Sequence, residues 1–459
     1  MNQPRQPTPV LDAILAWETG LGSVCARRLV NSFLRVKDSR LLIDGLSFDL
    51  NEFARIRVVG AGKAAGAMLQ GLEDSLGPDR MREKQVEGWI NIPHPKKPVE
   101  AEPASAEYVR RFHARPHAEN LPTEDCCAGT LEIEEIVQRT ASDELCIMLL
   151  SGGGSALLAH PANEIRLEDI RKLIAWMSGA KASIRQMNVV RQQISQVKGG
   201  RLASQFNGGH MATLILSDVL GDLGLVASGP TMPCSSGPVE ALEVLRELDP
   251  KLENVPTSIL NHLRRKAPQQ IRIPDSVSNH LIGDIHIATA ACQEKLEELG
   301  YEVSTEIQRD EFETANQAGV RMAQWLKDRI FTSKPLALVS GGEPVVELCE
   351  TPGQGGRNLQ LVLAAIVELM NSDVMDRVDF ALLSGGSDGE DGTTSVPGAS
   401  VCNRALQLYK QAAAIPNDFL SRNDAFTFFE NHSSTSFLRY PKGVETNVCD
   451  LRVVLAIPK

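Results

Sequence analysis

What the chain lacks narrows its function first. Its 459 residues contain no C-x-x-C, and the nine cysteines are odd in number and scattered. They read as buried thiols of a reducing compartment rather than a disulfide framework. No lysine/arginine run stands out and the net charge is −11, which argues against nucleic acid or a membrane surface as a main partner. A small anion stays open, because a few cations can reverse the field inside one cleft. No apolar run approaches the roughly 20 residues that span a bilayer. The opening MNQPRQPTPVLDAILAW has no basic stretch followed by an apolar one, so no secretory leader and a cytoplasmic setting are expected. Walker A is missing: the only Gly-Lys pair, Gly62-Lys63, is followed by Ala64. Protein-kinase motifs and repeats of fixed period are missing as well.

Hydrophobic content of 42% and charged content of 23% are those of a soluble globular chain, and the length favours two domains. Apolar strand-like runs recur: RIRVVG near 55–60, VEGWINI at 86–92, LCIMLL at 145–150 and MATLIL at 211–216. Helical patterns at 9–36, 104–114, 130–140 and 167–179 surround or separate them. This alternation predicts an α/β domain with a mostly parallel sheet. Residues 233–280, rich in Pro, Ser and Gln, read as a passage between domains. A second α/β region follows, with strands in HLIGDIHIATAAC, PLALVSGG, VDFALLSGG and DLRVVLAI.

The motifs sit at strand ends. In VVGAGKAAGAM, Gly60, Gly62 and Ala65 fit the dinucleotide fingerprint, yet Lys63 stands inside the turn. The strand VEGWINI runs into Asn91-Ile92-Pro93-His94, with no acid to hold a nicotinamide ribose. Three strands end in Ser-Gly-Gly: Ser151-Gly152-Gly153, Ser340-Gly341-Gly342 and Ser384-Gly385-Gly386. Ligands of open parallel sheets bind at such ends, where glycine admits a close backbone and helix N-termini face anions. The backbone of Gly152, Gly153, Gly154 and Ser155 is suited to cradle phosphate oxygens. A serine-nucleophile reading of LLSGGGSALL does not fit G-x-S-x-G. In LSDVLGDLGLVASGPT, Asp218 follows a strand, placed for Mg²⁺ or for a hydroxyl proton; the plain alternative is a helix cap.

Asn188, Arg191, Ser195 and Lys198 form a polar stripe at helical spacing, read equally as a solvated face or as a grip on carboxylate or phosphate. In GQGGRNLQLVLA, Arg357 opens a helix after glycines, a fit for an anion. SGGSDGEDGTTS holds Asp388, Glu390 and Asp391 in a spacing wrong for a calcium loop, leaving a Mg²⁺-nucleotide role or a flexible acidic surface. Cys126-Cys127 near His113 and His117 invites zinc, but Pro116 would spoil a shared helical face. Lysine, arginine, glycine cradles and strand-end acids are together the equipment of phosphoryl transfer.

These stretches, with NIPHP, SGGEPVV, SRNDAFTFFE and ETNVCDLRVVLA, occur in the order seen in the glycerate 2-kinase family, and the resemblance covers about residues 10 to 457. It implies a Rossmann-like N-terminal domain at 1–260 and a mixed α/β, leucine-rich MOFRL domain at 261–459, with the active site in the cleft between them. It implies ATP and Mg²⁺, and phosphorylation of D-glycerate at its 2-hydroxyl. Carried over by motif, Lys63 stabilises the transferring phosphoryl group, Arg357 binds anionic substrate or phosphate, and Asp218 and Asp388 bind metal or activate the hydroxyl. Asp391 joins them as a metal candidate. Gly60, Gly62, the Ser151–Ser155 turn, Gly341, Gly342 and Gly385 face the nucleotide, and Asn188, Arg191, Lys198 and Asn358 face the substrate. A small-molecule substrate is the expected partner, and a homodimer is one assembly open to such a chain.

The sequence departs from the family pattern at Ser387, Thr393 and Ser395, at Lys442–Glu445, at Leu359-Gln360 and at Lys96–Pro98. Those changes bear on which hydroxy acid is accepted. Some members carry the label hydroxypyruvate reductase, so an NAD(P)H-dependent reductase is the alternative, and a non-catalytic binder of small anions is a third reading.

Overall fold

In the computed structural model the described residues are 8–95, 108–116, 120–219, 221–267, 270–308, 312–412 and 415–459. They fall into two compact units, Ala26–Gly283 and Met1–Cys25 with Asp284–Lys459. This division differs from the expected 1–260 and 261–459 at both ends. The helix Pro9–Ser23 belongs with the C-terminal half because Gly20 lets it press on Leu451 and Ala288; an added Cβ would lie 2.6 Å and 2.8 Å from their atoms. Buried Tyr301 also donates its hydroxyl to Asp12 at 3.0 Å. The expected helix over 9–36 stops at Ser23, where Gly22 and Val24 weaken it, and restarts as Ala26–Phe33.

Within Ala26–Gly283, strands β1 (Leu34–Lys37), β2 (Arg40–Ile43) and β3 (Leu46–Asp49) form a small antiparallel meander. The main sheet comprises β4 (Arg55–Ala61), β5 (Glu87–Pro93), β6 (Val109–Arg115), β7 (Glu144–Ser151), β8 (His210–Leu216) and β9 (Val277–Gly283). It is wholly parallel, in the order β6-β5-β4-β7-β8-β9. That is the doubly wound order, whose direction reverses between β4 and β7. All of β7 is buried, as a central parallel strand covered on both faces must be. Val59, Met148, Leu150, Ile133 and Val137 pack one core.

Two readings are corrected here. Val109–Arg115 is an edge strand, not the end of a helix; pairing with β5 overrides a short helical pattern. Residues 104–107 lie outside the described residues. Residues 233–280 are not a passage between domains. The helices Pro238–Leu248 and Thr257–Arg265 bury Leu245 and Ile259 against Leu173, Met177 and Val190, and β9 completes the sheet.

The other unit has a five-stranded sheet of β10 (Glu302–Ile307), β11 (Leu336–Gly342), β12 (Val378–Gly386), β13 (Gly398–Cys402) and β14 (Asp450–Pro458), ordered β10-β11-β14-β12-β13. β14 runs antiparallel between β11 and β12. The helix Arg357–Met370, buried along most of its length, packs into the core with Phe380, Phe428 and Val454. Among the described residues no helix is long and apolar enough to cross a membrane.

Candidate active site

In the parallel-sheet unit the site forms where the sheet direction reverses. Ala61 of β4 lies opposite Leu150 of β7, and Ser151 lies opposite Leu216 of β8, so three strand ends share one edge. Gly62, at φ +145°, turns the chain hard against β7: an added Cβ would sit 2.6 Å from the Ser151 carbonyl oxygen and closer still to its Oγ. The two turns are stitched together. Lys63 N donates to Gly152 O at 2.9 Å, and Ala64 N donates to Ser151 Oγ at 2.9 Å. The helix Ala65–Glu83 starts at once. Gly153, at φ +76°, leaves the room that the Lys63 stem and the Arg115 guanidinium occupy; its Cβ would lie 3.1 Å from Lys63 Cγ and 3.3 Å from Arg115 Nη2. Lys63 is therefore held half-buried by backbone on two sides.

Several expected roles change. Fully buried Ser151 holds the Lys63 turn with its hydroxyl. Gly60 and Gly154 are glycines for packing, against Leu149 O at 2.6 Å and Ala227 Cβ at 2.8 Å. The stripe from Asn188 to Lys198 is not one helix, since Ile184–Gln193 ends before Ser195. Lys198 turns inward and donates to Ser155 O (2.9 Å) and Leu158 O (2.5 Å), closing the short helix Gly154–Leu157. Burial and then the charge of Arg191 lower its ammonium to about 7. Asn188 accepts from Ser228 Oγ at 2.5 Å, and Ser228 meets Ser155 Oγ at 3.0 Å. Asp218 stands half-buried just beyond β8, while Asp222 caps the turn Leu223–Ser228 through Gly224 N at 2.8 Å.

In the mixed-sheet unit β14 brings two glycine turns together. Ser340, Arg452 and Ser384 lie in register across β11, β14 and β12, as do Gly342, Asp450 and Gly386. Arg357 binds Asp450 through Nε (2.6 Å) and Nη2 (3.0 Å), and Glu343 through Nη1 (2.7 Å). The Asp450 side chain is 0% exposed and that of Arg357 31%. Burial opposes the arginine's charge, but Asp450, Glu343 and Asp388 outweigh it and hold its pKa well above the ordinary value. The expected open anion receptor is thus an ion-paired anchor with a solvent-facing edge.

Asp391 changes role too. One oxygen accepts Asn358 N (2.8 Å) and Nδ2 (3.1 Å), and the other accepts Leu359 N (2.8 Å). It caps the helix that Arg357 opens, so its oxygens serve the fold rather than a metal. Burial pushes its carboxyl up to about 7, against those two backbone bonds. Asn358 is committed to Asp391 and to Ser384 Oγ at 2.5 Å, not to substrate. Half-buried Asp388 accepts Glu390 N at 3.2 Å.

The space beside Gly341 is filled by Ile285, and that beside Gly385 by Trp17 at 2.8 Å. Gly342, at φ +149°, faces Gln308. Of the departures from the family pattern, Ser387 accepts Val448 N (2.8 Å) and receives the Tyr440 hydroxyl on its carbonyl (2.5 Å). Gln360 ties Asn316 to Leu420 O. His117 and Lys96–Pro98 lie outside the described residues, among which no group of three or more His, Cys, Asp or Glu is arranged to hold a metal ion. Sequence reasoning missed Asp450, Arg452, Glu343 and Arg115. The signal was present for the first two: a fully buried acid and a fully buried base in an apolar strand.

The model of a domain of unknown function, DUF4147, matches residues 12–264, and the MOFRL family model matches 336–450. A glycerate kinase of Bos taurus is 30% identical over 96% of this chain and 92% of its own length. A D-glycerate 2-kinase of Thermotoga maritima is 31% identical over 88% of this chain and 91% of its own. Among solved structures, a Thermotoga maritima glycerate kinase superposes with a TM-score of 0.73 at 28% identity, covering 97% of this chain and 98% of that one. A Pyrococcus horikoshii protein does so with 0.71 at 25% identity, covering 96% and 97%. With a family model over more than half its length and a relative above 30% identity along most of it, the chain belongs to the glycerate 2-kinase family.

Proposed function

We propose that the chain transfers the γ-phosphoryl group of ATP to the 2-hydroxyl of D-glycerate. The observation that carries this reading is Lys63, held between two glycine turns where the parallel sheet reverses. Such a turn takes phosphates, and a fixed cation there meets the charge that spreads over the equatorial oxygens in transit. The glycerate hydroxyl oxygen forms the new bond to the γ-phosphorus, the bond to the β,γ-bridging oxygen breaks, and ADP leaves. The hydroxyl proton passes to a carboxylate, for which half-buried Asp218 and Asp388 are the candidates. Either carboxylate, taken by itself, would hold Mg²⁺ beside water and phosphate oxygens, since that ion needs only one or two carboxylates, and the ion would supply charge neutralisation on the nucleotide.

The relatives named for glycerate phosphorylation support the acceptor. The test is ADP release from Mg-ATP with and without D-glycerate, together with NADH oxidation with hydroxypyruvate. Glycerate-dependent ADP release, with phosphate located on the product's 2-oxygen by phosphorus NMR, is expected. NADH oxidation without ADP release would overturn the reading and make the first glycine turn a dinucleotide site.

A further inference from the structure

The mixed sheet ends in two edge strands, and the chain treats them differently. At β13, Ala399 bridges Phe437, and Gly398 O accepts Leu438 N at 3.0 Å. Among the described residues β10 pairs only with β11. Its six residues keep one register from Glu302 to Ile307, without the bulge, proline or lysine that commonly blunts a bare edge.

Two bonds fix the direction of its backbone groups. Glu302 N donates to Pro335 O at 2.9 Å and Gln308 N to Gly341 O at 2.8 Å. Even-numbered residues therefore turn N–H and C=O to β11, and Val303, Thr305 and Ile307 turn theirs outwards. The side chains of those three share the face of the helix Ile285–Glu298, where Thr305 Oγ1 donates to Gln293 Oε1 at 2.8 Å. On the other face an open groove of about 600 Å³ lies between β10 and the helix Ala315–Lys327, lined by Glu306, Leu338, Val320, Arg321 and Trp325. That helix stands back from the strand and leaves room for another strand beside it. A row of outward backbone groups is a template for such pairing.

We propose that β10 pairs antiparallel with β10 of a second copy of this chain, about a twofold axis at Thr305, and so joins the two sheets in a homodimer. Charge selects the register. An axis at Ser304 sets Glu302 against Glu306 of the other copy, and an axis at Glu306 sets that acid against itself. Like charges directly opposite one another destabilise a strand pair. An axis at Val303 leaves Glu306 and Ile307 unpaired. The axis at Thr305 sets Val303 against Ile307, Thr305 against Thr305 and Ser304 against Glu306, so apolar meets apolar and hydroxyl meets hydroxyl. The two Glu306 side chains then stand only diagonally across the axis, each held by its own Arg321 at 2.8 Å. The outward residues become hydrogen-bonded pairs, each exchanging two bonds. The contact is self-complementary, as a twofold interface must be, and it does not depend on the reaction proposed above.

The test is sedimentation velocity on the full chain over a dilution series, with Thr305→Pro, Thr305→Cys and Ser304→Cys beside the parent. The parent should sediment as a dimer that dissociates on dilution. Thr305→Pro removes an outward N–H that β11 does not use, so its melting curve should stay near the parent's while the dimer Kd rises about 10- to 100-fold. On oxidation with diamide, Thr305→Cys should cross-link to its own copy, since Cα atoms of such a pair stand about 5.5 Å apart, within disulfide reach. Ser304→Cys, which faces Glu306 of the other copy, should not. The cysteine pair decides the register even where the proline disturbs the strand. A monomeric parent, which would leave the edge to an extended segment of another protein, overturns the proposal. So does a dimer that Thr305→Pro leaves intact, or one in which Ser304→Cys cross-links and Thr305→Cys does not.

Discussion

Replacing Arg357 by alanine should separate its two roles. The side chain holds Asp450 through two bonds, and the Asp450 side chain is 0% exposed. Removing one partner of a buried pair leaves the other charge uncompensated, at a cost of about 3–5 kcal/mol. Arg357 is 31% exposed, which favours the lower end. For a unit of this size each kcal/mol shifts Tm by roughly 2–4 °C, so a drop of roughly 10 °C is expected. Asp450→Asn removes the stranded charge, so Arg357→Ala with Asp450→Asn should recover much of that loss. Turnover tests the second, proposed role, in which the solvent-facing part of Arg357 meets an anionic group of the substrate: under that proposal it should not recover in the double variant. Scanning calorimetry on the two single variants and the double gives the coupling, and ADP release gives turnover. A coupling below about 1 kcal/mol would refute the buried anchor. Full turnover in a stable double variant would remove Arg357 from the chemistry.

Three further outcomes are expected. Gly62→Ala should cost about 2–4 kcal/mol in chemical denaturation, combining strain at φ +145° with overlap on Ser151. Gly22→Ala, with nothing within 4 Å, should be neutral or stabilising, and equal effects at the two glycines would contradict the clamp. Lys63→Ala should keep the parent's melting curve and lower kcat about 10²- to 10³-fold; near-normal turnover would take Lys63 out of the mechanism. Lys198 is lowered to about 7 in the fold from 10.5, so the unfolded chain binds more protons between those values. The penalty of its buried charge is fully present below about pH 7 and is relieved as pH rises towards 10.5. The parent should therefore gain Tm on Lys198→Met between pH 6 and pH 9, whereas a constant difference would mean that Lys198 titrates normally.

The strands of the parallel sheet were legible because central parallel strands are apolar throughout, and β4, β5, β7 and β8 each announce themselves that way. β6 was not, because its arginines break the apolar run; Arg111 is buried against Glu73 at 2.7 Å, a partner that no local pattern names. The helices Pro238–Leu248 and Thr257–Arg265 were hidden by the proline and serine around them, although their apolar faces fill a core. At the site, the glycine turns could be read because a strand running into glycine is a local signal. What the polar residues do depends on partners far along the chain. Asp391 caps a helix by accepting the N–H of Asn358, 33 residues before it, and Arg357 pairs with an aspartate 93 residues after it.

Four residues that looked like ligand contacts have well-defined protein partners: Asn188 holds Ser228, Lys198 holds two carbonyls, and Asn358 and Asp391 hold each other. A polar group already committed in this way positions its neighbours. Lys198 and Asn188 shape the turn from Gly153 to Ser155 from beneath, and Asp391 with Asn358 fixes the helix end from which Arg357 reaches Asp450. Arg191 lies in the same stretch as Asn188 and Lys198 but carries a buried Nε with no hydrogen bond. Sequence spacing could not separate it from its neighbours; hydrogen-bond accounting does, and it assigns scaffold roles to the groups already committed.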